Sequence, residues 1–257
     1  MANVGSKGIV RYEETFATDS IDGGTAGGGA GSAANGIAWI GSADTGDTAF
    51  VRVVAAGKGL HVAGALTNVN ADRLEFMSDQ LLFTGQEGHS SVELLLQLSS
   101  IANVAFFFGF NDAATGPNNI IPVKLDATTF TQNAADGCLG ILFDTNADND
   151  ELHCFWGNAA TKTTTAIADL RMNGMAPTAS KWLYMKGEMQ DLGSTSGKVR
   201  ATFLAVDHNG RSVEKVFNTS VDRDLPMNLY LGVENRSTTA RSVYIKCPAW
   251  QQTIADM

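Results

Sequence analysis

From about residue 36 onward, apolar and polar residues alternate with a period of two. Val92, Leu94, Leu96 and Leu98 are interleaved with Glu93 and Gln97, which gives an extended strand one apolar and one mixed face. Val104, Phe106, Phe108 and Phe110 repeat the pattern, with Ala105 and Gly109 on the opposite face, and the short connection predicts an antiparallel hairpin. The same reading pairs Leu139, Ile141 and Phe143 with Leu152, Cys154 and Trp156. It pairs Leu183, Met185 and Met189 with Val199, Ala201, Phe203 and Ala205. Leu229, Leu231 and Val233 are followed in the same way by Val243, Ile245 and Cys247. Helical periods are scarce, Ala166 to Met172 being the best short candidate. About a dozen strands at regular spacing predict an all-β fold, a two-sheet antiparallel β-sandwich.

The N-terminal third is less regular. It holds one extended candidate, Ile9 to Phe16, and then a low-complexity run from Asp22 to Gly31 that is mostly glycine. Glycine loses the most backbone entropy on ordering, so this run reads as an irregular arm that becomes ordered when a partner holds it. The loop Asn111 to Pro122 carries Gly116 and Pro117, yet the same strand pattern resumes beyond it. The expected division is therefore an arm over 1–35 and a single β-sandwich domain over 36–257.

Composition narrows the class. The chain has 257 residues, 44% of them hydrophobic and 18% charged, enough to bury a large core. Its 27 glycines against 5 prolines fit many tight turns. No run approaches the roughly 18 apolar residues of a membrane-spanning helix, and the first residues lack the basic and apolar regions of a signal peptide. These features read as a soluble, unprocessed cytosolic product without a membrane partner. A net charge of −9 repels phosphate backbones, so no nucleic-acid partner is expected. Cys138, Cys154 and Cys247 make neither a disulfide framework nor a metal motif, and all three read as small buried hydrophobes.

The motifs of chemistry are largely missing. The glycine run matches no phosphate-cradling spacing. Gly193-Ser-Thr-Ser-Gly197 has Thr195 where a nucleophile elbow needs serine and lies between two strands, so it reads as a hairpin loop. His61, His89, His153 and His208 form no neighbouring ligand pair, and His153 reads as an exposed alternating position. The richest polar cluster is Asp144-Thr-Asn146-Ala-Asp148-Asn-Asp150-Glu151. Its alternating oxygens suit a hard cation such as calcium, but Asn149 and Phe155 stand where a calcium loop needs glycine and glutamate. An Asn- and Asp-rich turn between strands is expected on backbone grounds alone. Trp39, Trp156, Trp182 and Trp250 could offer a stacking face for a sugar, although each lies in a strand-like segment where burial is the commoner fate. No catalytic, cofactor-binding or metal-binding residue is assigned, no cofactor is expected, and the chain reads as a non-enzyme.

Residues 90–250 resemble the concanavalin A-like lectin and glucanase sandwiches, a jelly roll. The resemblance is carried by 103–112, 137–146, Lys181-Trp-Leu-Tyr-Met-Lys-Gly-Glu188 and 199–207. Met227-Asn-Leu-Tyr-Leu-Gly-Val-Glu-Asn-Arg-Ser-Thr-Thr-Ala-Arg-Ser-Val-Tyr-Ile245 is similar to the closing hairpin of sandwich domains in tailed-bacteriophage virion proteins. Glucanases of this fold set two carboxylates on one strand as nucleophile and general acid. That spacing is absent around Glu188 and Glu151. Only Asp144 to Asp150 is similar to the calcium loops of legume-type lectins.

The resemblance implies a structural protein of a phage virion, with a capsid decoration or cement protein as the leading expectation. It would reside on the capsid surface after synthesis in the host cytoplasm. Its expected partner is the major capsid protein, contacted through Ile9 to Phe16 and the glycine arm. A homo-oligomer, a trimer at a symmetry axis, would let many copies offset modest single contacts. The alternatives are a lectin-like carbohydrate-binding module of a fibre or spike, and a degenerate glycan hydrolase.

Overall fold

The computed structural model describes residues 2–4, 9–16, 22–24, 39–44, 46–78, 83–86, 88–112, 121–132, 137–158, 161–162 and 170–253. The strands begin with β1 (Ala2–Val4), β2 (Ile9–Glu13), β3 (Asp22–Gly24), β4 (Trp39–Ala43), β5 (Thr48–Ala55) and β6 (Gly59–Leu66). There follow β7 (Arg73–Ser78), β8 (His89–Leu98), β9 (Val104–Asn111), β10 (Val123–Asp126), β11 (Thr129–Gln132) and β12 (Cys138–Asp144). The chain continues with β13 (His153–Asn158), β14 (Thr161–Lys162), β15 (Leu183–Asp191) and β16 (Lys198–Val206). It closes with β17 (Ser212–Asp222), β18 (Asn228–Asn235) and β19 (Arg241–Thr253).

These form the expected two-sheet sandwich. The first sheet runs β1-β2-β19-β8-β15-β16-β17, with β6 also on β19 and β5 on β6. The second runs β14-β13-β12-β9-β18-β7-β4-β3, and β10-β11 is a separate hairpin. The short β3-β4 pair is parallel. Period two puts Leu94, Leu96, Met185 and Phe203 of the first sheet against Phe106, Phe108, Phe110 and Leu231 of the second, and burying these apolar faces is the main driving force for the fold.

Two expected hairpins are instead crossings between sheets. β8 pairs with β15 and β19, whereas β9 pairs with β12 and β18. Likewise β18 lies in the second sheet and β19 in the first. Period two tells which side of a strand faces the core but not which strand lies beside it. The buried Arg241 guanidinium fixes the first crossing by donating from Nη1 to Asn103 O at 2.6 Å and from Nη2 to Ala102 O at 2.8 Å. The adjacent backbone bonds Ser99 N to Ser242 O and Arg236 N to Asn103 O lace the two crossings together. The hairpins β12-β13 and β15-β16 form as expected.

Strand β19 carries a bulge. Lys246 is opposite Leu95 and Ala249 opposite Glu93, so β19 has one residue more than β8 between them. Cys247 there has φ +46°, and Pro248, which has no N–H to give to a ladder, fits the irregularity. Before the bulge Tyr244 and Lys246 point away from the core. Beyond it Trp250 points inward, stacking on Tyr12 at 6.1 Å. Cys247 is exposed while Cys138 and Cys154 are buried, which corrects the reading of all three as core residues.

Strand β2, read from the sequence as part of the arm, pairs with β19 and delivers Tyr12 to the core, as does nearby Phe16. Most of the glycine run and of the 166–172 helix candidate lies outside the described residues.

Candidate functional site

The Asp144 turn joins β12 to β13. Asp144 is fully buried, and its carboxylate accepts from Leu125 N at 3.1 Å, Asn146 N at 3.1 Å and Arg236 Nε at 3.0 Å, with Arg236 Nη2 closing on the second oxygen. Arg236 also reaches Glu234, which Arg73 Nε contacts at 2.7 Å and Lys124 Nζ at 2.8 Å. A guanidinium with backbone donors therefore occupies the oxygens a cation would need, while Asp148 and Asp150 face solvent. Among the described residues no group of three or more His, Cys, Asp or Glu side chains is arranged to hold a metal.

The outer face of the second sheet is covered. Val123, Leu125 and Phe130 of the β10-β11 hairpin pack over Phe107, Leu142, Phe155 and Tyr230. A side chain at Gly232 would come within 2.7 Å of Ile121 Cγ2 and of the Tyr230 hydroxyl. This cover also explains His153. The sequence placed it on an exposed face, but it is buried under Phe130, whose ring lies edge-on at 6.4 Å. Burial pushes its pKa down, with Arg171 adding to the effect.

The outer face of the first sheet is different. On β15, β16 and β17 every outward side chain is at least partly exposed. Register places Tyr184 beside Leu95, Lys186 beside Glu93 and Glu188 beside Ser91 on β8. Lys246 on β19 is opposite Leu95, and Tyr244 is opposite Gln97. Trp182, just before β15, has the Lys246 ammonium 5.2 Å from its ring centroid, and Lys58 Nζ lies 3.0 Å from the centroid of Tyr244. Trp182, Tyr184 and Tyr244 are all half-buried. Each presents part of a flat apolar ring next to charged groups.

The polar groups of this face are ordered by one another. The Tyr184 hydroxyl donates to Glu93, which Arg11 Nη2 also approaches at 3.4 Å. Glu188 contacts Lys186, and His89 Nε2 lies 3.5 Å from its other oxygen. Burial and the Glu93 carboxylate push the Tyr184 pKa well up, so its phenol remains a neutral donor. Burial alone would raise the Glu188 pKa, but Lys186 and His89 outweigh it and hold the carboxyl below its usual range. Glu188 is thus an ionised acceptor, not the raised-pKa acid that glycosidic cleavage requires. The face can stack a ring, accept hydroxyl protons and attract charge.

Of the four tryptophans considered from sequence, only Trp182 belongs to this face. Trp39 is buried against Phe76 at 4.9 Å, and Trp156 and Trp250 pack on the core. Tyr184, Tyr244, Lys58 and Glu93 were not singled out. Alternation within 183–190 already put Tyr184, Lys186 and Glu188 on one side, but only sheet order brings Glu93 and Tyr244 beside them.

No protein-family model matches the chain, and no curated protein is significantly similar to it in sequence. Solved structures do match. A protein of unknown function from Shewanella oneidensis MR-1 has a TM-score of 0.59 at 11% identity, covering 100% of this chain and 92% of that one. Peanut lectin, in a structure with a nine-residue peptide, has a TM-score of 0.55 at 11% identity, covering 95% and 97%. The PL-14 alginate lyase from Aplysia kurodai has a TM-score of 0.52 at 8% identity, covering 78% and 86%. Likeness at this identity carries the fold alone. The chain has a concanavalin A-like two-sheet β-sandwich fold.

Proposed function

We propose that the chain is a carbohydrate-binding module whose sugar-facing surface is the outer face of the first sheet. The observation that supports this most directly is the grouping of Trp182, Tyr184 and Tyr244 on that uncovered face, beside the Tyr184–Glu93 hydrogen bond and the Glu188–Lys186 ion pair. Sugar rings present apolar C–H faces rimmed by hydroxyls, and this mixture of flat rings and fixed acceptors is complementary to both. Lectins among the similar folds agree with this reading. A capsid decoration role draws no support from those comparisons, which name a lectin, an alginate lyase and a protein of unknown function.

The test is binding to a glycan array, followed by titration of the best ligand. Trp182→Ala and Tyr184→Ala are each expected to weaken binding about tenfold while melting temperature stays near that of the parent protein. Chelation with EDTA is expected to leave affinity unchanged, because Arg236 and backbone donors already satisfy Asp144. A wild-type protein that retains no glycan, or variants that bind like wild type, would overturn the proposal.

A further inference from the structure

We infer that the corner of this face where β6 meets β19 receives the negative group of an acidic sugar, so that the preferred glycan is a uronate or sulfated chain. The inference rests on the carbohydrate reading above and adds the charge class of the ligand.

The chain is acidic, with 27 Asp and Glu against 18 Lys and Arg. Several cations of the face have an acid, Arg11 with Glu93, Lys186 with Glu188 and Lys198 with Asp222, whereas the exposed Arg200 lies against the neutral Asn218. Lys58 and Lys246 break that pattern. Both are half-buried, and neither takes part in an ion pair among the described residues. Each ammonium is set over an aromatic ring, Lys58 over Tyr244 and Lys246 over Trp182.

They also converge. A Cβ at Gly59, the residue after Lys58, would lie 3.6 Å from Lys246 Nζ, so the Lys246 ammonium reaches the turn that carries Lys58. His61 completes the corner, fully buried with its ring against Tyr244 at 5.5 Å. Its Nδ1 is 2.8 Å from Gly59 O, and Nε2 has no hydrogen-bonding partner among the described residues. Two like charges held near each other without a counter-charge repel, and partial desolvation makes an incoming anion more effective than it would be in open water. Cation–π contacts hold the lysines in position without neutralising them. A sugar ring on Trp182 or Tyr184 would bring a carboxylate or sulfate on that ring to this corner, while its hydroxyls meet Glu93 and Glu188.

The test titrates the full chain with a short oligouronate, its methyl ester and a sulfated oligosaccharide of similar length, at ~20 mM and ~300 mM salt. Screening of exposed charges at the higher salt is expected to weaken binding of the acid form about three- to tenfold and to leave the ester unaffected. At low salt the acid or sulfated form is expected to bind about tenfold tighter than the ester. Lys58→Met with Lys246→Met is expected to reduce the acid to the level of the ester, with circular dichroism unchanged. Equal binding of acid and ester overturns this inference and leaves the carbohydrate reading standing. Failure of all three probes to bind also overturns this inference, and the glycan array then decides the carbohydrate reading by itself. Preference for the uronate over the sulfated chain, or the reverse, identifies the anionic group.

Discussion

Arg236 closes on Asp144 inside the protein, Nε to Oδ1 at 3.0 Å with Nη2 on the other oxygen, both side chains almost wholly buried. The same guanidinium touches Glu234. Breaking a buried pair from one side leaves an uncompensated charge, at a cost of about 3–5 kcal/mol. Arg236→Met is therefore expected to lower stability by about that amount in urea denaturation. Asp144→Asn combined with Arg236→Met is expected to recover part of the loss, because the amide removes the unpaired charge and keeps an oxygen for a backbone donor. Calcium is expected to leave the melting temperature of the parent protein unchanged.

A second group of acids gives a pH signature. Burial, followed by the nearby Asp72, raises the Asp47 pKa to about 6 although Thr67 opposes the shift. Thr67 N donates to Asp47 Oδ1 at 2.6 Å and Thr67 Oγ1 to Asp72 Oδ2 at 2.5 Å. Between the unfolded value near 4 and the folded value near 6, the folded state binds more protons than the unfolded state. This residue's contribution to stability therefore falls as pH rises through that window. Asp47→Asn keeps the Oδ1 acceptor and removes the penalty. It is expected to raise the melting temperature at pH 7.5 and to change little at pH 4, measured by scanning calorimetry at both pH values.

The thiols separate cleanly. Cys247 is exposed at the bulge, whereas Cys138 and Cys154 are buried in covered strands. One equivalent is expected to react with a thiol reagent under native conditions and three after denaturation. Reaction at Cys247 is expected to be slow at neutral pH, because partial burial and then Glu13 and Glu93 push its pKa up while Lys246 pulls it down.

Gly140 lies where β12 passes β9. A methyl group there would meet the Phe108 carbonyl oxygen and come within 2.6 Å of Phe107 Cζ. Gly140→Ala is expected to lower stability by about 1–3 kcal/mol through overpacking, read as a lower denaturation midpoint.

Much of the sandwich was legible because period two survives wherever one strand face is buried. The pattern at Leu94, Phe106, Met185 and Phe203 located strands and their core sides. It failed on partners, since a strand ending at Leu98 and another starting at Val104 look the same as a hairpin or as a crossing. It failed again at His153, where a covered outer face erases the difference between inward and outward positions. The candidate site was legible only in pieces. Trp182, Tyr184 and Glu188 are close in sequence, but Lys58 arrives from the β5–β6 turn and Glu93 and Tyr244 from two other strands, and no local signal announces that they share a face.

The bulge in β19 makes counting more important than chemistry at one position. Tyr244 and Lys246 face solvent and Trp250 faces the core only because one additional residue separates Lys246 from Ala249. Side-chain changes at Cys247 leave that parity alone, and its φ of +46° makes Gly, Asn and Asp the best tolerated replacements and β-branched residues the worst. Its deletion would invert one end of the strand, either turning Trp250 out of the aromatic cluster or turning Tyr244 and Lys246 into the core. At residue 247 the molecule depends on occupancy first, and on identity only through what a left-handed backbone accepts.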